Sequence, residues 1–223
     1  MILEKFDIKL RSLSQCDLEM VRTARNSDFI RNRMIYREII SPEMQQHWYN
    51  SLDPANDIYL IVEHNEKPRG LINIRNIRYD HDENESGVFF WDNEALQSHL
   101  PVITSWLAGE AGYHLLGGQQ TTVQVLKSNK QAFEFNQSIG FQIISETEHL
   151  YIMQQTKESF SQSTLDGRNR YLAQTGGDKL LKLSFGDHPQ DDFRQSGLLN
   201  FHQIIKVSPV RQIDRVFWYN VDF

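Results

Sequence analysis

Cysteine is almost missing from this chain: the 223 residues include one, Cys16. An internal disulfide is therefore excluded, and with no cysteine or histidine pairs at ligand spacing no structural zinc or other metal site is expected. Positive charge is in deficit. Lys and Arg number 23 against 29 Asp and Glu, a net charge of −6, which leaves no broad basic footprint for a nucleic acid. Long apolar runs are lacking as well, and none approaches the roughly 20 residues that cross a bilayer. The first seven residues, MILEKFD, carry acid and have no extended apolar centre. Internal repeats and low-complexity tracts are also missing. These absences lead us to expect a soluble cytoplasmic protein with neither membrane nor nucleic-acid partners. The length admits one full domain, or one of about 150 residues with an appendage.

What is present is a regular alternation of strand and helix signals. Ile8 and Leu10 alternate with charged neighbours as a first strand, Ser12 and Ser14 end it, and residues 17–25 read as a helix. Arg25-Asn26-Ser27 breaks that helix, and a second piece runs through Ile30 and Met34. Ser41-Pro42-Glu43 then supplies an N-cap, a first-turn proline and an early carboxylate for a helix over 44–52. Apolar runs at 59–62 and 71–74 flank His64-Asn65-Glu66-Lys67-Pro68 as a hairpin. An acidic loop over 80–85 leads to Gly87-Val88-Phe89-Phe90-Trp91, apolar on both faces and so a central strand. A helix over 101–116 follows, closed by Gly117-Gly118.

The most specific stretch is 123–141. It reads as a short strand, a polar turn at Asn129, a helix with Ala132 and Phe135 on one face, and a stop at Gly140-Phe141. The pattern V-x-x-x-N-x-x-A-x-x-F-x-x-x-x-G-F resembles the late signature of the Gcn5-related N-acetyltransferases. Leu10-Arg11, Asp17-Leu18, Arg25-Asn26, Ser41-Pro42-Glu43 and Trp48 resemble the subgroup acting on ribosomal proteins and nucleotide-sugar amines, although Trp48 reads equally as a core aromatic. The resemblance implies an α/β (α+β) fold over residues 1–156, with a central mixed, mostly antiparallel sheet flanked by helices. It further implies acetyl-coenzyme A as cofactor and a small-molecule amine, such as a nucleotide-linked amino sugar, as acceptor; a protein N-terminus is the runner-up.

On that resemblance the site residues follow. Asn129 is placed to hold the pantetheine arm, and it is equally suited to N-cap the next helix. The backbone at Phe90 and Trp91 is the expected thioester contact. Glu85 matches a carboxylate that serves as general base, against the alternative of an acidic loop with Asp80, Asp82 and Glu83. Arg25, Asn26 and Arg31 are candidates for holding a phosphate or carboxylate of the acceptor, or else form a solvated face with ordinary ion pairs.

Two departures qualify the expectation of activity. The family's pyrophosphate loop, Q/R-x-x-G-x-G/A, falls on Gln97-Ser98-His99-Leu100-Pro101-Val102 ahead of Ile103, with Leu100 and Val102 where glycines belong and Pro101 lacking an N–H. His99 reads as a charge for that loop or as plain surface. The family's leaving-group tyrosine is replaced by Asn136, which has no titratable proton; another acid, release of thiolate to solvent, or lost activity all remain open. A catalytically degenerate binding, regulatory or assembly protein is thus the alternative.

Beyond Thr156 no family is recognisable. Residues 157–177 suit a polar helix through Phe160, Leu165, Tyr171 and Leu172, and segments 180–185, 202–207 and 215–221 read as strands. This extension, 157–223, is expected to pack on the first domain or on a second subunit, with a homodimer through its strands as one outcome.

Overall fold

The chain opens with a hairpin of which only the second strand, at Ile8 and Leu10, carries a sequence signal. In the computed structural model, which describes residues 1–78, 83–185 and 205–221, strand β1 (Ile2–Lys5) turns into β2 (Ile8–Ser12) through Phe6 and Asp7, both at positive φ of 55° and 61°. Such turns ordinarily require Asn or Gly. Here the Phe6 ring, 3% exposed, packs edge-on against Trp106 and Tyr171, so burial holds a backbone conformation its side chain disfavours. The first strand therefore precedes Ile8, correcting the expectation.

A 3₁₀ turn at Gln15–Asp17 leads to α1 (Leu18–Asn26) and α2 (Asp28–Arg31). Helix α3 (Pro42–Ser51) is capped as expected, Ser41 Oγ accepting from the Met44 N–H at 3.2 Å. Strands β3 (Ile58–His64) and β4 (Lys67–Arg78) form the expected hairpin around Asn65 and Glu66, again at positive φ. Strand β5 (Glu83–Phe90) includes Glu83 and Glu85, so neither belongs to a loop; Asp80 and Asp82 lie outside the described residues. An unforeseen short helix, α4 (Asn93–Gln97), precedes α5 (Leu100–Gly109), which widens into a π-helical turn over Glu110–Leu115. Then come β6 (Gln120–Leu126), α6 (Lys130–Ser138), β7 (Gln142–Glu146), β8 (Leu150–Thr156) and α7 (Lys157–Thr175). The last described elements are β9 (Leu181–Ser184), β10 (Arg211–Ile213) and β11 (Val216–Tyr219).

All these strands join one sheet in the order β10-β11-β9-β1-β2-β3-β4-β5-β6-β8-β7. Each neighbouring pair is antiparallel except β5 with β6. Both faces are covered, which is why the central strands are apolar at successive positions. Leu60, Val62, Ile72 and Phe90 pack with Ile103 and Leu107 of α5 and Phe160 and Leu172 of α7, while Ile61 and Leu71 face Leu18 and Val21 of α1 and Tyr49 of α3. A third cluster joins Val123, Val125 and Met153 to Ile139 and Phe141 after α6. Gly140 takes φ +102°, and a Cβ there would come within 2.6 Å of the Ser159 carbonyl, so the expected glycine stop also admits the start of α7.

Residues after 156 extend this sheet. Strand β9 pairs with β1 on one side and β11 on the other, burying Leu181 and Leu183 in the cluster that holds Leu3 and Leu10. Helix α7 buries Phe160, Thr164, Arg168 and Leu172, one side chain per turn. Arg168 reaches Glu110 at 2.7 Å, and Lys5 of β1 reaches the same carboxylate at 2.9 Å, all three side chains being almost fully enclosed. Of the strand expected at 202–207, residues 202–204 lie outside the described residues and 205–207 are irregular, whereas β10 was not foreseen.

Candidate active site

The parallel junction organises the site. Strands β5 and β6 meet at one ladder pair, Glu85 with Thr122. Asn84 ties this point, donating to the Gln120 carbonyl at 3.3 Å and accepting at its own carbonyl from Thr122 Oγ1 at 3.2 Å. Past that pair no further register forms, and the strands part toward Phe90 and Leu126. The Trp91 N–H donates to the Arg69 carbonyl of β4 at 2.9 Å. By the two-residue alternation of a strand, the N–H groups of Val88 and Phe90 point instead toward the β6 edge, beyond the last ladder pair. The Phe90 N–H thus lies on the side of the gap, and the Trp91 N–H is engaged by β4.

A cavity of about 910 Å³ runs through this gap. On one side α5 presents Pro101, Ser105 and Ala108, and the π-helical turn after it Gly112, small residues at helical spacing; on the other α6 presents Ala132, Phe135 and Asn136. Asn129 lines the cavity and also caps α6, its Oδ1 accepting from the Ala132 N–H at 3.2 Å, so both roles expected of it are compatible. Asn136 lines the cavity too, but its Nδ2 donates back to the Ala132 carbonyl at 2.7 Å. Tyr113, which sequence reasoning passed over, also faces the cavity; it donates to Gln155, and burial pushes its phenol far above the ordinary range.

Glu85 lines the cavity at its closed end. Arg75, its register partner on β4, donates to Glu85 Oε1, and Gln124 Nε2 lies 3.4 Å from the same oxygen. Burial lowers the Arg75 pKa, but the hydrogen bond and charge of Glu85 outweigh it, so the net displacement is upward. Arg75 was not foreseen because nothing in the sequence discloses the register of β4 against β5.

The start of α5 differs from the obstructed cradle expected of Leu100 and Val102. The Leu100 side chain, 2% exposed, is turned into the core with Ile103 and cannot stand in a phosphate's path. What occupies the cradle's donors is the Ser98 hydroxyl and the His99 carbonyl. The Leu100 N–H donates to Ser98 Oγ at 3.1 Å, and the N–H groups of Val102 and Ile103 both donate to the His99 carbonyl at 3.1 Å. Gln97 and His99 are exposed, the latter beside His64 and Tyr171.

The three acceptor-side candidates separate. Asn26 is a structural clamp, exchanging two 2.8 Å hydrogen bonds with the backbone of Ile40. Arg31 pairs with Asp28 of its own helix at 2.5 Å. Arg25 lines the cavity over Phe89, and burial lowers its pKa. Trp48 packs edge-on against Tyr59 at the cavity wall. Among the described residues no group of three or more His, Cys, Asp and Glu gathers as a metal would require, and no helix is long and apolar enough to cross a membrane.

No protein-family model matches the chain, and no curated protein matches it in sequence. Solved structures do. FdhC, a nucleotide-linked sugar GNAT in its apo form, superposes with a TM-score of 0.65 at 20% identity, over 77% of this chain and 98% of that one. AAC(6')-Ib in complex with ribostamycin and coenzyme A gives 0.63 at 16%, over 71% and 98%. Spermidine N-acetyltransferase from Vibrio cholerae, with coenzyme A and spermine, gives 0.60 at 16%, over 69% and 98%. At identities of 20% or lower these superpositions speak for architecture, and the architecture is that of the Gcn5-related N-acetyltransferases.

Proposed function

We propose that the protein is an N-acetyltransferase that moves an acetyl group from acetyl-coenzyme A to the primary amine of a small molecule, with a nucleotide-linked amino sugar as the leading acceptor class. The observation that carries this is the gap between β5 and β6, with backbone N–H groups on one edge and Asn129 at its far end. A pantetheine arm fits between the small residues of α5 and the face of α6, where Asn129 Nδ2 and the β5 amides would hold it. The pyrophosphate fits less well, since the donors at the start of α5 are already taken.

When bound, acetyl-coenzyme A supplies the activated thioester. The Phe90 N–H would polarise its carbonyl oxygen. Glu85 would accept the amine proton through Oε2, with Arg75 and Gln124 orienting the carboxylate through Oε1. Asn136 offers no proton to the leaving sulfur, so on this reading the thiolate departs toward solvent. A homodimer belongs to the same reading: β10 ends the sheet with all three residues exposed, and analytical ultracentrifugation reads that directly.

The self-satisfied start of α5 favours a second reading, a catalytically degenerate binding protein of the same fold. Calorimetry with coenzyme A decides between them. Binding followed by acetylation of an amine panel supports the enzyme; no binding at millimolar coenzyme A overturns it.

A further inference from the structure

The cavity wall formed by α1 and α3 holds two side-chain donors that find no acceptor among the described residues. Arg25 ends α1 with its guanidinium 5.7 Å from the centroid of Phe89, and its Nη1 is buried with no hydrogen-bond partner. Burial lowers its pKa, and among the described residues no carboxylate offsets that. Gln45, in the first turns of α3, is 4% exposed, and its Nε2 is likewise buried and unpaired. Both residues line the cavity. Among the described residues two carboxylates line it as well, Glu83 and Glu85, but Arg78 stands 3.7 Å from the first and Arg75 donates to the second. Arg33 at the same wall donates to the Phe29 carbonyl.

An enclosed guanidinium N–H on half-buried Arg25 and a buried amide N–H are costly to leave unmatched, and the group that satisfies both is an anion rich in acceptor oxygens. A polyamine would bring further cations to this wall and relieve neither donor.

We infer that Arg25 Nη1 and Gln45 Nε2 form an oxyanion subsite, so that the acceptor is an amine that also carries a phosphate or a carboxylate. This rests on the reading of the cavity as an acceptor site, and binding is therefore measured without coenzyme, so that the two can fail separately. The probes for calorimetry on the full chain are glucosamine, glucosamine 6-phosphate, glucosaminic acid and spermidine. At least one anionic probe is expected to bind tenfold or more tightly than glucosamine, with the better of the two identifying phosphate or carboxylate, and spermidine is expected not to bind. Arg25→Met should abolish the preference, Arg25→Lys should restore part of it, and Gln45→Leu should reduce it several-fold, each with coenzyme A affinity unchanged. Equal binding of all probes to the native chain, or a preference that survives Arg25→Met in the folded protein, overturns the subsite. A matching loss of coenzyme A affinity in Arg25→Met also overturns it, since Arg25 would then serve the coenzyme's phosphates. If the native chain binds an anionic probe through Arg25 but not coenzyme A, the subsite stands and the acetyltransferase reading falls.

Discussion

Asn129 shows how one side chain can serve folding and binding together, and how the two are separated experimentally. Its Oδ1 is engaged by the Ala132 N–H, which leaves Nδ2 for the cavity. Asn129→Ala removes both, and should cost about 1 kcal/mol of stability as a lost N-cap. Asn129→Asp keeps the cap acceptor and removes only the donor. Both variants are expected to weaken coenzyme A binding, whereas only the alanine should lower the unfolding midpoint appreciably; calorimetry beside thermal denaturation reads the split. Glu85 is separable in the same way. Glu85→Gln is expected to reduce turnover about a hundredfold at neutral pH through loss of a general base, with coenzyme affinity retained because the carboxylate sits at the closed end of the gap. Wild-type turnover in that variant would move the base elsewhere. At this scale the sequence was readable where local rules decide, as at Asn129 in its turn and Gly140 at its stop. It was unreadable where tertiary packing decides: Arg25, Asn26 and Arg31 look alike along the chain, and what tells them apart is the packing of α1 against Phe89 and Ile40 and the ion pair of Arg31 with Asp28 inside α2.

Among the elements, the start of α5 has its chemistry inverted relative to what its residues imply. Glycines are missing there, but the side chain of Leu100 fills the core, and Leu100→Gly would cost about 2–5 kcal/mol as a large-to-small core substitution. The consequential group is Ser98, whose Oγ takes the Leu100 N–H while its own proton goes to the Ala95 carbonyl at 2.7 Å. Ser98→Ala frees that amide at a cost of about 1 kcal/mol. We expect it to tighten coenzyme A binding and leave the affinity for pantetheine, which lacks the pyrophosphate, unchanged. A tighter grip on both would place the effect on the arm instead. Apolar periodicity and caps made α3, the β3–β4 hairpin, β5 and α6 legible. The β1–β2 turn was not, because Phe6 adopts a glycine-like conformation that only its burial against Trp106 explains.

At the scale of the whole molecule, the composition change after Thr156 invites a reading of the last 67 residues as an appendage, and those of them that are described pack into the core of the first 156. Phe160 and Leu172 of α7 and Leu181 and Leu183 of β9 lie in the same cluster as Leu3, Leu10 and Leu107. Arg168 shares the buried Glu110 carboxylate with Lys5, and β9 covers the edge of β1 that would otherwise be open. Polar residues dominate α7 because only one side chain per turn meets the core, so composition understates its attachment. Fully buried side chains of this size are each worth about 1.5–3 kcal/mol, set against a total stability of about 5–15 kcal/mol for a protein of ordinary size. A chain ended at Thr156 would lose these side chains, leave Glu110 with one cation, and expose the outer edge of the sheet. It is expected to retain helix in far-ultraviolet circular dichroism while losing near-ultraviolet signal and a cooperative thermal transition. Phe160→Ala in the full chain, at about 3–5 kcal/mol, should lower the unfolding midpoint of one shared transition. A truncated chain that unfolds cooperatively near the native midpoint would instead establish residues 1–156 as an independent domain.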